Sequence, residues 1–132
     1  MFEWPVRVYY EDTDAGGIVY YANYLKFMER ARTEWLRSFN VEQEFWLATG
    51  IGFVVRNVEL DLRGPARLDD VLNVSCEPIK VKKASIEFRQ TITNQHNKVI
   101  CSGYVKAACV TLEAMKPTAI PREIIEGISS GI

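Results

Sequence analysis

The sequence predicts an α+β fold, a five-stranded antiparallel sheet wrapped around one long central helix. Three observations point there. Apolar residues recur at helical spacing over one long stretch, from Tyr24 to Trp35. From Gly52 onward the period falls to two, and successive strand-like runs follow. The last two runs are joined by Asn94, Gln95, His96 and Asn97, a polar turn composition that makes them an antiparallel hairpin.

Val6, Val8 and Tyr10 alternate with Arg7 and Tyr9, predicting a first strand that ends at the acidic loop Glu11 to Asp14. Gly16 and Gly17 punctuate the chain, and the period then changes. Tyr24, Phe27, Met28, Ala31 and Trp35 share a helical stripe, while Lys26, Glu29, Arg30, Glu34 and Arg37 occupy other positions. The helix should end near Phe39 and Asn40, since Asn is a good terminal residue for a helix. Aromatic and aliphatic residues cover much of its circumference, so more than one side is covered, and a wrapped sheet does that. Val54, Val58, Leu60 and Leu62 are predicted on one face of a strand that ends at Arg63, Gly64 and Pro65. Further strands are expected over 71–81, 85–93 and 99–112. Pro117 and Pro121 then break any strand, and 120–128 predicts a short terminal helix with Pro121 near its first turn.

No repeat, low-complexity tract or linker divides the 132 residues, so residues 1–132 are expected to form one domain. The net charge of −1 provides no global positive field, which argues against nucleic acid as a partner. Cys76, Cys101 and Cys109 fit neither a zinc site nor a disulfide framework. They are expected to be reduced and buried, and the protein cytoplasmic. No apolar run approaches the length of a membrane span.

The stretch Tyr10 to Gly17 is the richest in chemistry. Three carboxylates, Glu11, Asp12 and Asp14, fall within four residues, followed by a diglycine that lets backbone approach a ligand closely. Asp12 and Asp14 are read in two ways. They cap a turn or the start of the helix, or one of them faces a cleft beside the helix N-terminus, where free N–H groups can polarise a carbonyl oxygen. His96, the only histidine, falls in a hairpin turn, so a Ser-His-Asp or Cys-His arrangement has no imidazole to use. Acid–base chemistry must then run on carboxylates. Zinc ligands and nucleotide-binding motifs are missing, and no metal or cofactor is called for. Lys80, Lys82 and Lys83, followed by Ser85, form either a solvated hairpin tip or a shallow site for coenzyme phosphates.

From Tyr10-Glu11-Asp12-Thr13-Asp14-Ala15-Gly16-Gly17 through Ile18-Val19-Tyr20-Tyr21-Ala22-Asn23-Tyr24, the chain resembles the 4-hydroxybenzoyl-CoA thioesterase family. It most resembles the subgroup of acyl-CoA thioesterases associated with the Tol-Pal cell-envelope system. The likeness continues in Glu29-Arg30-Ala31-Arg32, Phe53-Val54-Val55-Arg56, Pro65-Ala66-Arg67-Leu68-Asp69-Asp70 and Met115-Lys116-Pro117. The resemblance implies a hotdog fold and metal-free hydrolysis of an acyl-CoA thioester. Asp14 would be the catalytic carboxylate, as nucleophile or general base, and the Tyr21 backbone N–H would donate to the thioester oxygen. Many of the subgroup carry histidine at this position, so an imidazole is missing here while the amide donor remains.

The same resemblance places Gly17, Val54 and Val55 against substrate and Lys82, Lys83 and Ser85 near the phosphates of coenzyme A. It implies a homodimer or homotetramer with the site between subunits. Met28, Val54 and Val58 are expected to shape the acyl pocket, and acyl carrier protein is a second candidate partner. The competing reading is a non-catalytic acyl-binding or interaction module on the same scaffold, with the acidic loop purely structural.

Overall fold

A computed structural model describes residues Met1 to Ser130. The elements run β1 (Phe2–Arg7), α1 (Asn23–Arg37), α2 (Gln43–Ala48), β2 (Ile51–Leu62), β3 (Val71–Val81), β4 (Ser85–Thr93), β5 (Val99–Thr111), β6 (Lys116–Pro117) and α3 (Arg122–Ser130). The sheet is antiparallel in the order β1-β3-β4-β5-β2, with β6 pairing beside the end of β5. A six-stranded sheet thus replaces the expected five. Pro117 does not prevent pairing, because β6 is a two-residue edge segment and Pro is tolerated where a strand need not donate on both sides.

β3 and β4 occupy the expected ranges, and the 94–97 turn joins β4 to β5 with Asn97 at φ 60°. The Asn94 side chain accepts the amides of His96 and Lys98. β1 ends earlier than expected. Tyr10 leaves the alternation and opens a short 3-10 turn, while Val6 and Val8 are buried. Pro5 sits within β1, an edge strand bonded only to β3. The short helix α2 has no counterpart in the sequence reading; at six residues it is too short to show a periodic stripe.

α1 buries Tyr24, Phe27, Met28, Ala31, Trp35 and Leu36 against the sheet. Its exit uses Asn40 at φ 67°, the left-handed residue that helices favour just past their last turn. Trp35 meets Phe39 and Phe88 edge-on, with ring centroids 5.0 and 5.3 Å away, each such pair adding about 0.5–1.5 kcal/mol beyond burial. α3 closes the far end of the core with Ile124 and Ile128. Among the described residues no helix is long and apolar enough to cross a membrane.

One expectation fails in β2. A bulge between Val55 and Asn57 inserts Arg56 as an extra residue, and an inserted residue reverses which face the following side chains occupy. Val54 pairs with Ala108, and Val58 pairs with Val105. Those two β5 residues differ by an odd number, so Val54 and Val58 lie on opposite faces. Val55, Val58 and Leu60 share the helix-side face instead.

Candidate active site

The acidic loop is shaped by its own backbone. Asp12 is buried, 9% exposed, and its Oδ2 accepts the Tyr9 amide at 2.8 Å. The carbonyl of Asp12 accepts the Tyr20 amide at 3.1 Å and the Asn23 side-chain amide at 2.9 Å. Asp12 therefore acts as a clamp between this loop and the first residue of α1. Capping describes Asp12, and it describes one oxygen of Asp14 as well, which accepts the Gly16 amide of the same turn.

Two residues on, the chain reverses. The Asp14 amide donates to the Ile18 carbonyl at 2.9 Å, and the Gly17 amide to the Asp14 carbonyl at 3.0 Å. This turn needs Gly17 at φ 78°, a conformation that L side chains rarely adopt. The Asp14 side chain is exposed, and its Oδ1 accepts the Gly16 amide at 2.8 Å. That is the single hydrogen bond to this carboxylate among the described residues, which leaves the second oxygen open to solvent or ligand.

The returning strand is pinned by Val19, whose amide donates to the Ala66 carbonyl at 2.8 Å. Ala66 in turn donates its N–H to the Tyr24 hydroxyl at 3.2 Å. Burial pushes the Tyr24 phenol up from its ordinary pKa, the Ala66 amide opposing it, so it stays a neutral partner. At the helix start, the amides of Tyr21 and Ala22 meet no protein acceptor among the described residues. These are the orphan donors of a helix N-terminus, where the helix dipole is positive. The Tyr21 ring is exposed and packs on Tyr20 at 5.1 Å. Asp14, Gly17 and Tyr21 thus stand at one end of the subunit, on either side of the Asp12 clamp.

The other candidate residues stand at the opposite end. Val54, Ala108 and Ser85 occupy one rung of the sheet, and Lys82 and Lys83 form the adjoining β3–β4 turn, with the Lys82 amide donating to the Ser85 carbonyl at 2.8 Å. β3 begins beside the acidic loop and runs 11 residues to reach Lys82, roughly 35 Å at the usual rise per residue. Lys82 and Lys83 are exposed. Ser85 is 9% exposed, which leaves its hydroxyl little surface for a phosphate. Cys76, Cys101 and Cys109 are free and buried. Burial pushes the Cys76 thiol up to about 12 and that of Cys101 to about 11, so neither supplies a thiolate nucleophile. His96 is an exposed turn residue.

Between α1 and β2 lie two adjoining grooves. One, of about 150 Å³, is walled by Phe53, Val54 and Val55 with Arg32, Ile86 and Phe88. The other, of about 350 Å³, runs over Leu25, Lys26, Val55 and Val58. Glu29 and Arg32 line both. Met28, expected in the pocket, is instead fully buried beside Gly103, whose missing side chain makes room for it. Arg32 was absent from the sequence-derived site. The available signal was its place four residues after Met28, on the border of the buried stripe.

The thioesterase superfamily model matches residues 16–101, beginning just after Asp14. The acyl-CoA thioester hydrolase YbgC of Escherichia coli is 46% identical over 125 residues, covering 95% of this chain and 93% of that protein. The acyl-CoA thioesterase YbgC of Haemophilus influenzae is 48% identical over 124 residues, covering 93% and 90%. In fold, the 1,4-dihydroxy-2-naphthoyl-CoA thioesterase from Synechocystis superposes with a TM-score of 0.91 at 21% identity, covering 97% of this chain and 95% of that one. The curled antiparallel sheet around α1 is the hotdog fold of that structure, and by sequence and architecture together the chain belongs to the thioesterase superfamily and is a thioester hydrolase.

Proposed function

We propose that the protein hydrolyses acyl-CoA thioesters at a site completed by a second copy of the chain. The observation that carries this reading is the division of the candidate residues between two ends of one subunit. β2 is a 12-residue edge strand with Val55, Val58 and Leu62 exposed at 48%, 40% and 51%, whereas the other edge, β1, is interrupted by Pro5. Antiparallel pairing of two β2 strands about a two-fold axis would set the Leu62 end of one beside the Ile51 end of the other. Asp14 and Tyr21 of one subunit would then face the Val54–Val55 wall and the Lys82–Lys83 turn of its partner.

In this site the thioester oxygen lies against the Tyr21 amide, and the Asp14 carboxylate stands over the carbonyl carbon. As general base, Asp14 takes a proton from water while the hydroxide oxygen attacks. The oxyanion is held by the amide, the C–S bond breaks, and the departing thiolate takes the proton back. As nucleophile, Asp14 attacks the carbonyl carbon, the C–S bond breaks to release coenzyme A thiolate, and water then cleaves the mixed anhydride to free acid and Asp14 carboxylate, with the proton released going to the thiolate. Labelled oxygen from water recovered in Asp14 after one turnover marks the nucleophilic route. Lys82 and Lys83 suit the phosphates of coenzyme A as exposed cations, with Gly17 letting the backbone come close.

From the resemblance of the Tyr10 to Tyr24 motif, we further propose that the chain falls in the 4-hydroxybenzoyl-CoA thioesterase family and its Tol-Pal-associated subgroup, acts in the cytoplasm where coenzyme A is found, and takes acyl carrier protein as a second thioester donor. Subunit complementation tests the shared site. Asp14→Asn and Val55→Arg proteins, each inactive alone, should regain thiol release when mixed, because a hybrid dimer contains one intact site. No recovery in demonstrated hybrids would show that the site lies within one subunit.

A further inference from the structure

The wall of the smaller groove carries a charge that the hydrolytic steps do not use. The Arg32 guanidinium is half-buried, and its Nη1 donates to Gln90 Oε1 at 2.9 Å. Gln90 is fully buried, and its Nε2 donates to the carbonyls of Met28 at 3.0 Å and Ser75 at 3.3 Å. Both ends of the amide are therefore fixed, with its oxygen turned to Arg32. One guanidinium N–H out of five is satisfied this way. Among the described residues, Arg32 forms no ion pair; those present are Arg37–Glu34, Arg63–Asp61 and Arg122–Glu126.

A neutral amide holds the cation in position without cancelling its charge. Burial, the largest influence on this group, pulls its pKa down, the sign of a charge missing part of its hydration. No buried side-chain nitrogen among the described residues lacks a partner, so the remaining Arg32 donors open onto the grooves that it lines, where the guanidinium fork matches a carboxylate in a bidentate geometry. Glu29 lines the same grooves, but it is exposed and its Oε1 already accepts the Thr33 hydroxyl at 3.1 Å. Its charge favours the Arg32 cation, but no ion pair joins the two, so the fork is left for a ligand.

We propose that Arg32 is the distal anchor of the acyl cavity and that the enzyme selects acyl-CoA thioesters whose acyl group ends in a second carboxylate. This rests on the Val54–Val55 wall being the substrate wall, as proposed above. Gln90 is then a positioning residue that holds the guanidinium ready.

The test compares succinyl-CoA with butyryl-CoA, which differ in replacing a terminal methyl by a carboxylate. The wild-type protein should show the larger kcat/KM on succinyl-CoA, by tenfold or more. Arg32→Met should collapse that ratio at least tenfold, and Arg32→Lys, which keeps the charge without the fork, should give an intermediate ratio. Equal rates on the two thioesters in the wild-type protein, or an unchanged ratio in Arg32→Met, would overturn the assignment while leaving the thioesterase intact. Light scattering accompanies the kinetics: an Arg32→Met protein that dissociates while the wild type does not would make Arg32 an interface residue, which also overturns the proposal. Cleavage of neither thioester would count against the site proposed above, and the anchor is then read by calorimetry, where Asp14→Asn protein should bind succinyl-CoA at least tenfold more tightly than butyryl-CoA. Equal binding there would end it.

Discussion

The Tyr24 hydroxyl accepts the Ala66 amide at 3.2 Å, tying the first turn of α1 to the segment whose carbonyl holds Val19 and, through it, the Asp14 turn. A buried tyrosine on the helix thus sets where the free amides of the helix start stand relative to the acidic loop. Tyr24→Phe removes the acceptor and strands a buried N–H, so a loss of about 1–3 kcal/mol in denaturant unfolding is expected. Turnover should fall as well, because the two halves of the site lose their common anchor.

Asp14 and Asp12 should separate in their effects. An Asn at position 14 can still accept the Gly16 amide, so Asp14→Asn should keep the melting temperature and lose roughly a hundredfold or more in kcat. Asp12→Ala removes the acceptor of the Tyr9 amide and should cost about 1 kcal/mol of stability. Thiol-release assays beside thermal melts read both. A larger kinetic than thermal effect at Asp12, with no kinetic effect at Asp14, would exchange their roles.

The two loop glycines should also differ. A Cβ at Gly17 meets nothing within 4 Å, so Gly17→Ala carries only the cost of its positive φ, about 1 kcal/mol. A Cβ at Gly16 would stand 3.2 Å from Asp14 Oδ1. Gly16→Ala should therefore disturb the carboxylate and depress kcat more than stability.

Gly103 lets the helix approach the sheet. A Cβ there would lie 2.7 Å from Met28 Cε and 2.9 Å from its Sδ, and Met28 is fully buried with little room to move. Gly103→Ala is expected to destabilise by about 1–3 kcal/mol. In a Met28→Ala background, which itself costs about 2–5 kcal/mol for the cavity it opens, the added cost of Gly103→Ala should shrink.

The buried thiols give a pH prediction. Cys76 and Cys101 have folded values of about 12 and about 11 against an ordinary 9.0. A raised folded pKa contributes stability that is fully present below the ordinary value and disappears as pH rises through the folded one. Stability should therefore decline between about pH 9 and 12, and Cys76→Ala with Cys101→Ala should flatten that decline. Below pH 9 a thiol reagent should label the native protein far more slowly than the unfolded chain.

Periodicity and turn chemistry alone determined that there is one long helix, that β3 and β4 have the bounds observed, that Asn40 ends α1, and that the 94–97 turn makes a hairpin. These are local consequences of which side chains can be buried and which backbone angles Asn accepts, so they are written residue by residue. The motif from Tyr10 to Tyr24 further marked the loop that carries Asp14. What only the tertiary structure decided are relations across the chain. The bulge at Arg56 put Val54 and Val58 on opposite faces, Asp12 became a clamp through contacts with Tyr9, Tyr20 and Asn23, and Gln90 turned its amide toward Arg32. None of these has a period, because each depends on how distant segments meet once the sheet has curled around α1.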